Sequence, residues 1–216
     1  MSWTRQSGGG GFERRGYHHG NLREALLQAA EELLGAKGPA GFTIAEAARL
    51  AGVSPAAPYR HFRDAESLLA AIATRGFDRL KERLTAALAS APTDPIHAAT
   101  TLGRAYLAFA REEPACYAAM FEARVARDTF PDLQTASDGA FGVLRALAER
   151  LAAAARIQPR PPALMIALHV WSTAHGIASL FVRDDPSRRP LPMSAEDLLE
   201  AALLVYAQGL GITGFA

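Results

Sequence analysis

The sequence predicts an all-α protein of about nine helices, and three observations predict it. Half of the 216 residues are hydrophobic, with Ala and Leu dominant, a bias that favours helix over strand. Apolar residues recur every three or four positions along most of the chain, and no segment alternates as a half-buried strand would. Helix-start signals recur just ahead of these periodic runs, at Asn21, Thr43, Ser54, Asp64, Asp94 and Ser194.

Residues 1–16 are polar, with four consecutive glycines at Gly8–Gly11, and are expected to form a disordered arm. Arg14 and Arg15 at its end, with His18 and His19 just after, suit contacts to phosphates, or equally a solvated tail. Asn21 and Glu24 have cap-plus-three spacing, so the first helix is expected from Leu22, burying Leu22, Leu26, Ala29 and Leu33. Gly38-Pro39-Ala40-Gly41 ends it.

Thr43 and Glu46 form a capping-box pair for a helix from Ile44, and Gly52 stands where a left-handed residue would end that helix. Ser54 then caps, with Pro55 at the first position, a second helix expected over 55–62. Pro58 removes about one hydrogen bond from its start. The product is a helix-turn-helix. Ile44, Ala48 and Phe62 anchor it, while Ala56 and Ala57 offer methyl groups and Tyr59, Arg60 and His61 offer donors. Methyls and donors together suit a DNA major groove, where thymine methyls and phosphates line the walls, and Thr43 at a helix start suits a phosphate.

Asp64 caps a helix from Ala65 to Ser90 whose stripe Leu68, Ile72, Phe77, Leu80, Leu84 and Leu88 is long enough to leave the first unit and enter the next. Pro92 and Pro95 mark the boundary. The divisions are thus 1–16 arm, 17–64 helix-turn-helix unit, 65–91 linking helix and 92–216 C-terminal unit. Further helices are expected from Asp94-Pro95 to Glu113, from Pro114 through Phe121, from Asp132 to Arg156, from Ala163 to Val182, and after Ser194 through Leu210. The segment 163–182 is apolar almost all round and must be covered by something. Pairing it and helix 195–210 with twofold mates would make a four-helix bundle and hold two heads about 34 Å apart, one DNA turn. The two helices could instead bury each other within one chain.

The residues from about Tyr17 to Leu84 resemble the DNA-binding domain of the TetR family of bacterial transcriptional regulators. The resemblance rests on Thr43-x-x-x-Ala47, on Ala51-Gly52-Val53-Ser54, and on Tyr59-Arg60-His61-Phe62 with Asp64 and Leu68-Leu69. It implies a homodimeric repressor that leaves a double-stranded DNA operator when a small molecule binds the C-terminal domain. Trp171, His175 and Gly176 resemble a C-terminal domain type within that family named for Trp, His and Gly, and Phe109, Pro114, Tyr117 and Met120-Phe121 fit the same pattern. Tyr117, Met120, Phe121, His169, Trp171 and His175 are then candidates for an effector pocket of apolar or aromatic taste; core packing explains Trp171 and Gly176 better, and His175 equally well.

Composition narrows the alternatives. The net charge is +1, too small for a bulk polyanion binder, although residues 1–91 carry twelve Lys or Arg against nine Asp or Glu. One cysteine, Cys116, permits no intrachain disulfide and fits a reducing cytoplasm. No window of eighteen apolar residues free of charge is read in the chain, so no membrane span is expected. His175, Cys116 and Asp128 are the raw material for a nucleophile triad, but nothing in their spacing predicts convergence. A metal site using His169 with His175 or Cys116 is the better alternative regulator, though no i, i+4 histidine pair supports it. Neither a metal nor a cofactor is expected.

Overall fold

A computed structural model describes residues 22–182 and 192–212. The N-terminal arm with Arg14, Arg15, His18 and His19, the Asn21 cap and most of the polar loop after Val182 lie outside the described residues. Among the described residues there are eight α-helices and no strand. They are α1 (Leu22–Lys37), α2 (Ile44–Leu50), α3 (Ala65–Ser90), α4 (Pro95–Glu112), α5 (Pro114–Phe121), α6 (Pro131–Ala154), α7 (Ala163–Ile177) and α8 (Ala195–Gly209).

Four of the eight helix starts follow from the side chains just ahead of them. Thr43 Oγ1 accepts from the Glu46 amide at 3.2 Å and so caps α2. Asp64 and Ser67 form a reciprocal capping box at the head of α3. The Asp94 carboxylate takes the Ile96 and His97 amides, and Ser194 accepts from the Asp197 amide. At the end of α2, Gly52 adopts φ +70°, while its amide reaches Arg49 O and the Val53 amide reaches Ala48 O. That pairing is a Schellman motif, which requires the left-handed residue that glycine supplies at little cost.

The expected helix over 55–62 is not an α-helix. After Ser54 the chain makes one turn, closed by the Ala57 amide on Ser54 O, and then a 3₁₀ turn over Pro58–Arg60. The reason is Pro58. An α-helix opening at Ser54 needs the N–H of residue 58 on the Ser54 carbonyl, and proline has none. In a two-turn helix that bond is a large share of the total, so the segment falls back on i→i+3 pairing. Buried Pro58 and Phe62 hold the turn against the protein. Among the described residues the count is therefore eight α-helices, one fewer than the nine expected.

α3 is the spine. It packs on α1 near the head and on α4, α5 and α6 beyond it. Leu68, Ile72, Phe77, Leu80 and Leu84 are buried as their spacing predicts. In α1 the buried residues are Leu26, Leu27, Ala29, Ala30 and Leu34; Leu26 and Ala29 are buried as expected, while Leu22 and Leu33 are only partly covered, so the face is shifted toward Leu27, Ala30 and Leu34.

α7 continues into a π turn over Ala178–Val182. The combined 20-residue segment, with mean hydropathy 1.4, is long and apolar enough to cross a membrane, against the expectation of no such segment. Only neutral polar residues and the histidines His169 and His175 break its apolar run, and with no Asp, Glu, Lys or Arg among its residues its mean hydropathy stays high. One face, with Ile166, Ala167, Val170 and Ala174, is buried against the neighbouring helices. The other exposes Leu164, Met165 and Leu168.

Candidate functional site

At the head of the molecule, the turn after Gly52 presents its polar residues outward. Tyr59 is 58% exposed; Ser54, Ala56, Arg60 and His61 are exposed and Ala57 is half-buried. Thr43, at the start of α2, is exposed as well. Beneath them the Arg23 guanidinium lies over the Phe62 ring at 5.5 Å, adding to the packing that fixes the turn. Within a few residues the surface thus offers a phenol, a guanidinium, an imidazole and two methyl groups.

About midway along α3 lies a cavity of about 280 Å³. α3 contributes Phe77, Leu80 and Leu84 to its wall, α4 contributes Leu102 and Tyr106, and α7 contributes Leu168 and Trp171. Phe121 closes one side, while Arg127, Ser137 and Asp138 form its polar part.

The expected pocket residues divide into three groups. Phe121 and Trp171 line the cavity. Tyr117, Met120 and His175 pack in the adjoining wall: His175 stacks on the Tyr117 ring at 5.6 Å and meets the edge of Phe121 at 4.7 Å, and Met120 packs against Gly76. His169 is elsewhere, stacked on Tyr206 of α8 with ring centroids 3.8 Å apart. The helix explains this, because two residues rotate the side chain roughly 200° from Trp171. Sequence reasoning missed Tyr106, Arg127 and Ser137. Tyr106 carried a signal, since a phenol in a buried apolar stripe needs a polar partner.

That partner is His175. The Tyr106 and Tyr117 hydroxyls lie 2.8 and 3.0 Å from His175 Nδ1. Burial lowers the pKa of His175, and burial first, then Tyr117, raises that of Tyr106. Both shifts favour the neutral imidazole and the neutral Tyr106 phenol, so the contact at Nδ1 is a hydrogen bond between uncharged groups.

Cys116 is 1% exposed, and its Sγ sits 3.2 Å from Arg79 Nη1. Burial pushes its thiol up to about 11, so it is protonated at neutral pH and a poor nucleophile. Among the described residues no three His, Cys, Asp or Glu side chains cluster as metal ligands would. His169, His175 and Cys116 each have a different set of neighbours.

Residues 99–206 match the family described as "Tetracyclin repressor-like, C-terminal domain", and residues 26–72 match "Bacterial regulatory proteins, tetR family". The chain belongs to the TetR family. The finer Trp-His-Gly type stays a resemblance carried by Trp171, His175 and Gly176. A solved protein of unknown function from Rhodococcus sp. RHA1 is 32% identical with TM-score 0.74, covering 91% of this chain and 98% of that one. The "HTH-type transcriptional regulator BetI" of Rhizobium meliloti (strain 1021) is 38% identical over 71 residues. That match spans 33% of this chain and 35% of BetI, about a third of the relative's length. AibR, solved in complex with isovaleryl coenzyme A and operator DNA, shares the TetR fold at 18% identity and TM-score 0.65, over 85% of this chain and 97% of AibR.

Proposed function

We propose that this TetR-family chain is a ligand-responsive, DNA-binding transcriptional regulator: a cytoplasmic homodimeric repressor released from its operator by a small hydrophobic or aromatic molecule. The observation that carries the reading is the double duty of α3. Its first turn abuts the exposed Tyr59-Arg60-His61 turn, and its middle supplies Phe77, Leu80 and Leu84 to the cavity wall. A ligand that prefers one seating of α3 must bias the position of the head, and operator affinity falls by the ligand's differential affinity for that state.

In this reading residues 17–64 form the reading head, 65–91 the lever, and 92–216 the effector and dimer domain. Thr43, Ser54, Tyr59, Arg60 and His61 hold the backbone of a double-stranded operator while Ala56 and Ala57 touch base edges. The dimer forms through α7 and α8, where Leu164, Met165, Leu168 and Leu180 and, on α8, Val205 are exposed. A face of that kind on a chain of this size calls for a partner, and a twofold copy supplies the identical face. AibR, with an acyl compound and operator DNA in one complex, supports the pairing of the two activities on this fold.

The test is a gel shift with DNA flanking the gene, with and without a panel of small apolar compounds. Tyr59→Ala and His61→Ala should each weaken binding to all sequences and flatten its salt dependence. Unchanged binding by both variants across salt concentrations would overturn the contact assignment.

A further inference from the structure

Among the described residues, several arginines that join one helix to another are matched by carboxylates. Arg75 sits 2.6 Å from Glu24, Arg79 is 2.8 Å from Glu113, Arg104 is 2.6 Å from Glu200, and Arg111 is 2.7 Å from Glu196. Arg127, on the loop between α5 and α6, is different. Among the described residues no carboxylate lies within ion-pair distance of it, although Asp138 shares its part of the cavity wall and Asp128 is next to it in sequence. Its Nη1 donates to Ser137 Oγ at 3.1 Å, and its guanidinium lies 6.0 Å from the Phe77 ring centroid. Ser137 is 8% exposed and, apart from the tyrosines, is the one buried polar side chain among the described residues; it too lines the cavity.

An otherwise apolar cavity therefore has a cation and a buried hydroxyl at its polar part. A guanidinium has five N–H donors in a planar fork, and only one is engaged here by a side chain. Resting on the effector reading above, the geometry points to a ligand of defined class: a small apolar molecule bearing one carboxylate, with Arg127 as its anion-binding residue and Ser137 as a second donor. The fork matches a carboxylate in two-point contact. Phe121, Trp171, Leu102 and Leu144 receive the apolar body. Asp138 narrows the class further. Its charge repels a second negative charge at the same place, which disfavours dianions such as phosphate monoesters.

The experiment uses the full-length protein and three probes on one phenylbutyl skeleton: 4-phenylbutyrate, its isostere 4-phenylbutanamide, and 4-phenylbutylamine. Binding is read by calorimetry, and occupancy of the cavity by displacement of the neutral fluorophore N-phenyl-1-naphthylamine. The acid should bind about tenfold more tightly than the amide, a modest factor because Arg127 is exposed to solvent screening. Arg127→Gln should erase that preference and leave the amide unchanged, and Asp138→Asn should strengthen the acid. Equal binding of acid and amide, tightest binding by the amine, or a preference that survives Arg127→Gln would each overturn the assignment. If the fluorophore binds and none of the three probes displaces it, the carboxylate class is wrong while the effector cavity stands. If the fluorophore fails to bind as well, both fall. The probe series on the parent protein and on Asp138→Asn decides the matter even if Arg127→Gln does not fold.

Discussion

The Tyr106 hydroxyl lies 2.8 Å from His175 Nδ1, tying α4 to α7 beside the cavity. The rings around His175 are those of Tyr106, Tyr117, Phe121 and Trp171, and none carries a charge. Burial lowers the histidine's pKa in the fold, so the native protein binds fewer protons than the unfolded chain, whose histidine titrates near 6.5. Above that value both states are neutral and His175 adds nothing to the pH dependence. As pH falls through it, the unfolded chain takes up the proton first and stability drops. Chemical denaturation between about pH 7.5 and about pH 5.5 should show a larger loss for the parent than for His175→Gln. Equal losses would show that His175 is not held neutral.

Gly76 faces α5 at close quarters. A Cβ there would stand 2.6 Å from Met120 Sδ and 3.0 Å from Cys116 Cβ. Met120 can yield, but the Cys116 Cβ is fixed by its backbone. Gly76→Ala should destabilise the protein by roughly 1–3 kcal/mol through overpacking. Gly142→Ala in α6, where the new methyl meets nothing within 4 Å, should be neutral or stabilising. Urea unfolding of the two variants side by side checks the contrast.

The loop that carries Arg127 is also tied to the head. The Ala126 amide donates to Glu66 Oε1 at 3.2 Å, in the first turn of α3. Glu66→Ala should leave effector affinity unchanged and reduce the effector's influence on operator binding by a few-fold, since an exposed hydrogen bond is weak. Titrating effector in a fluorescence-anisotropy operator assay measures this. An undiminished effect would place the coupling in α3 alone.

Val205 is 68% exposed on α8, so replacing it removes little from the folded chain. Val205→Asp should leave helix content and thermal unfolding of the chain's own core near the parent's while sedimentation shifts from dimer toward monomer. A variant that still sediments as a dimer at micromolar concentration would move the interface elsewhere.

What could be read in advance was local. The caps at Thr43, Asp64, Asp94 and Ser194, the left-handed Gly52 and the full extent of α3 depend on groups within a few residues of one another, and spacing encodes those directly. The 55–62 segment was misread although its cause, Pro58, was in view. What decided it was how few other hydrogen bonds so short a helix has to offset the one it loses.

By itself the sequence determined an all-α TetR-family chain, with its turn chemistry and the exposed Tyr59-Arg60-His61 set. Only the tertiary structure decided where the cavity lies and what its polar part contains. Tyr106, Arg127, Ser137 and Trp171 come from α4, a loop, α6 and α7. Helical periodicity says which side of a helix is apolar; it carries no information on which other helix that side will meet, because the hydrophobic effect that joins them has no direction.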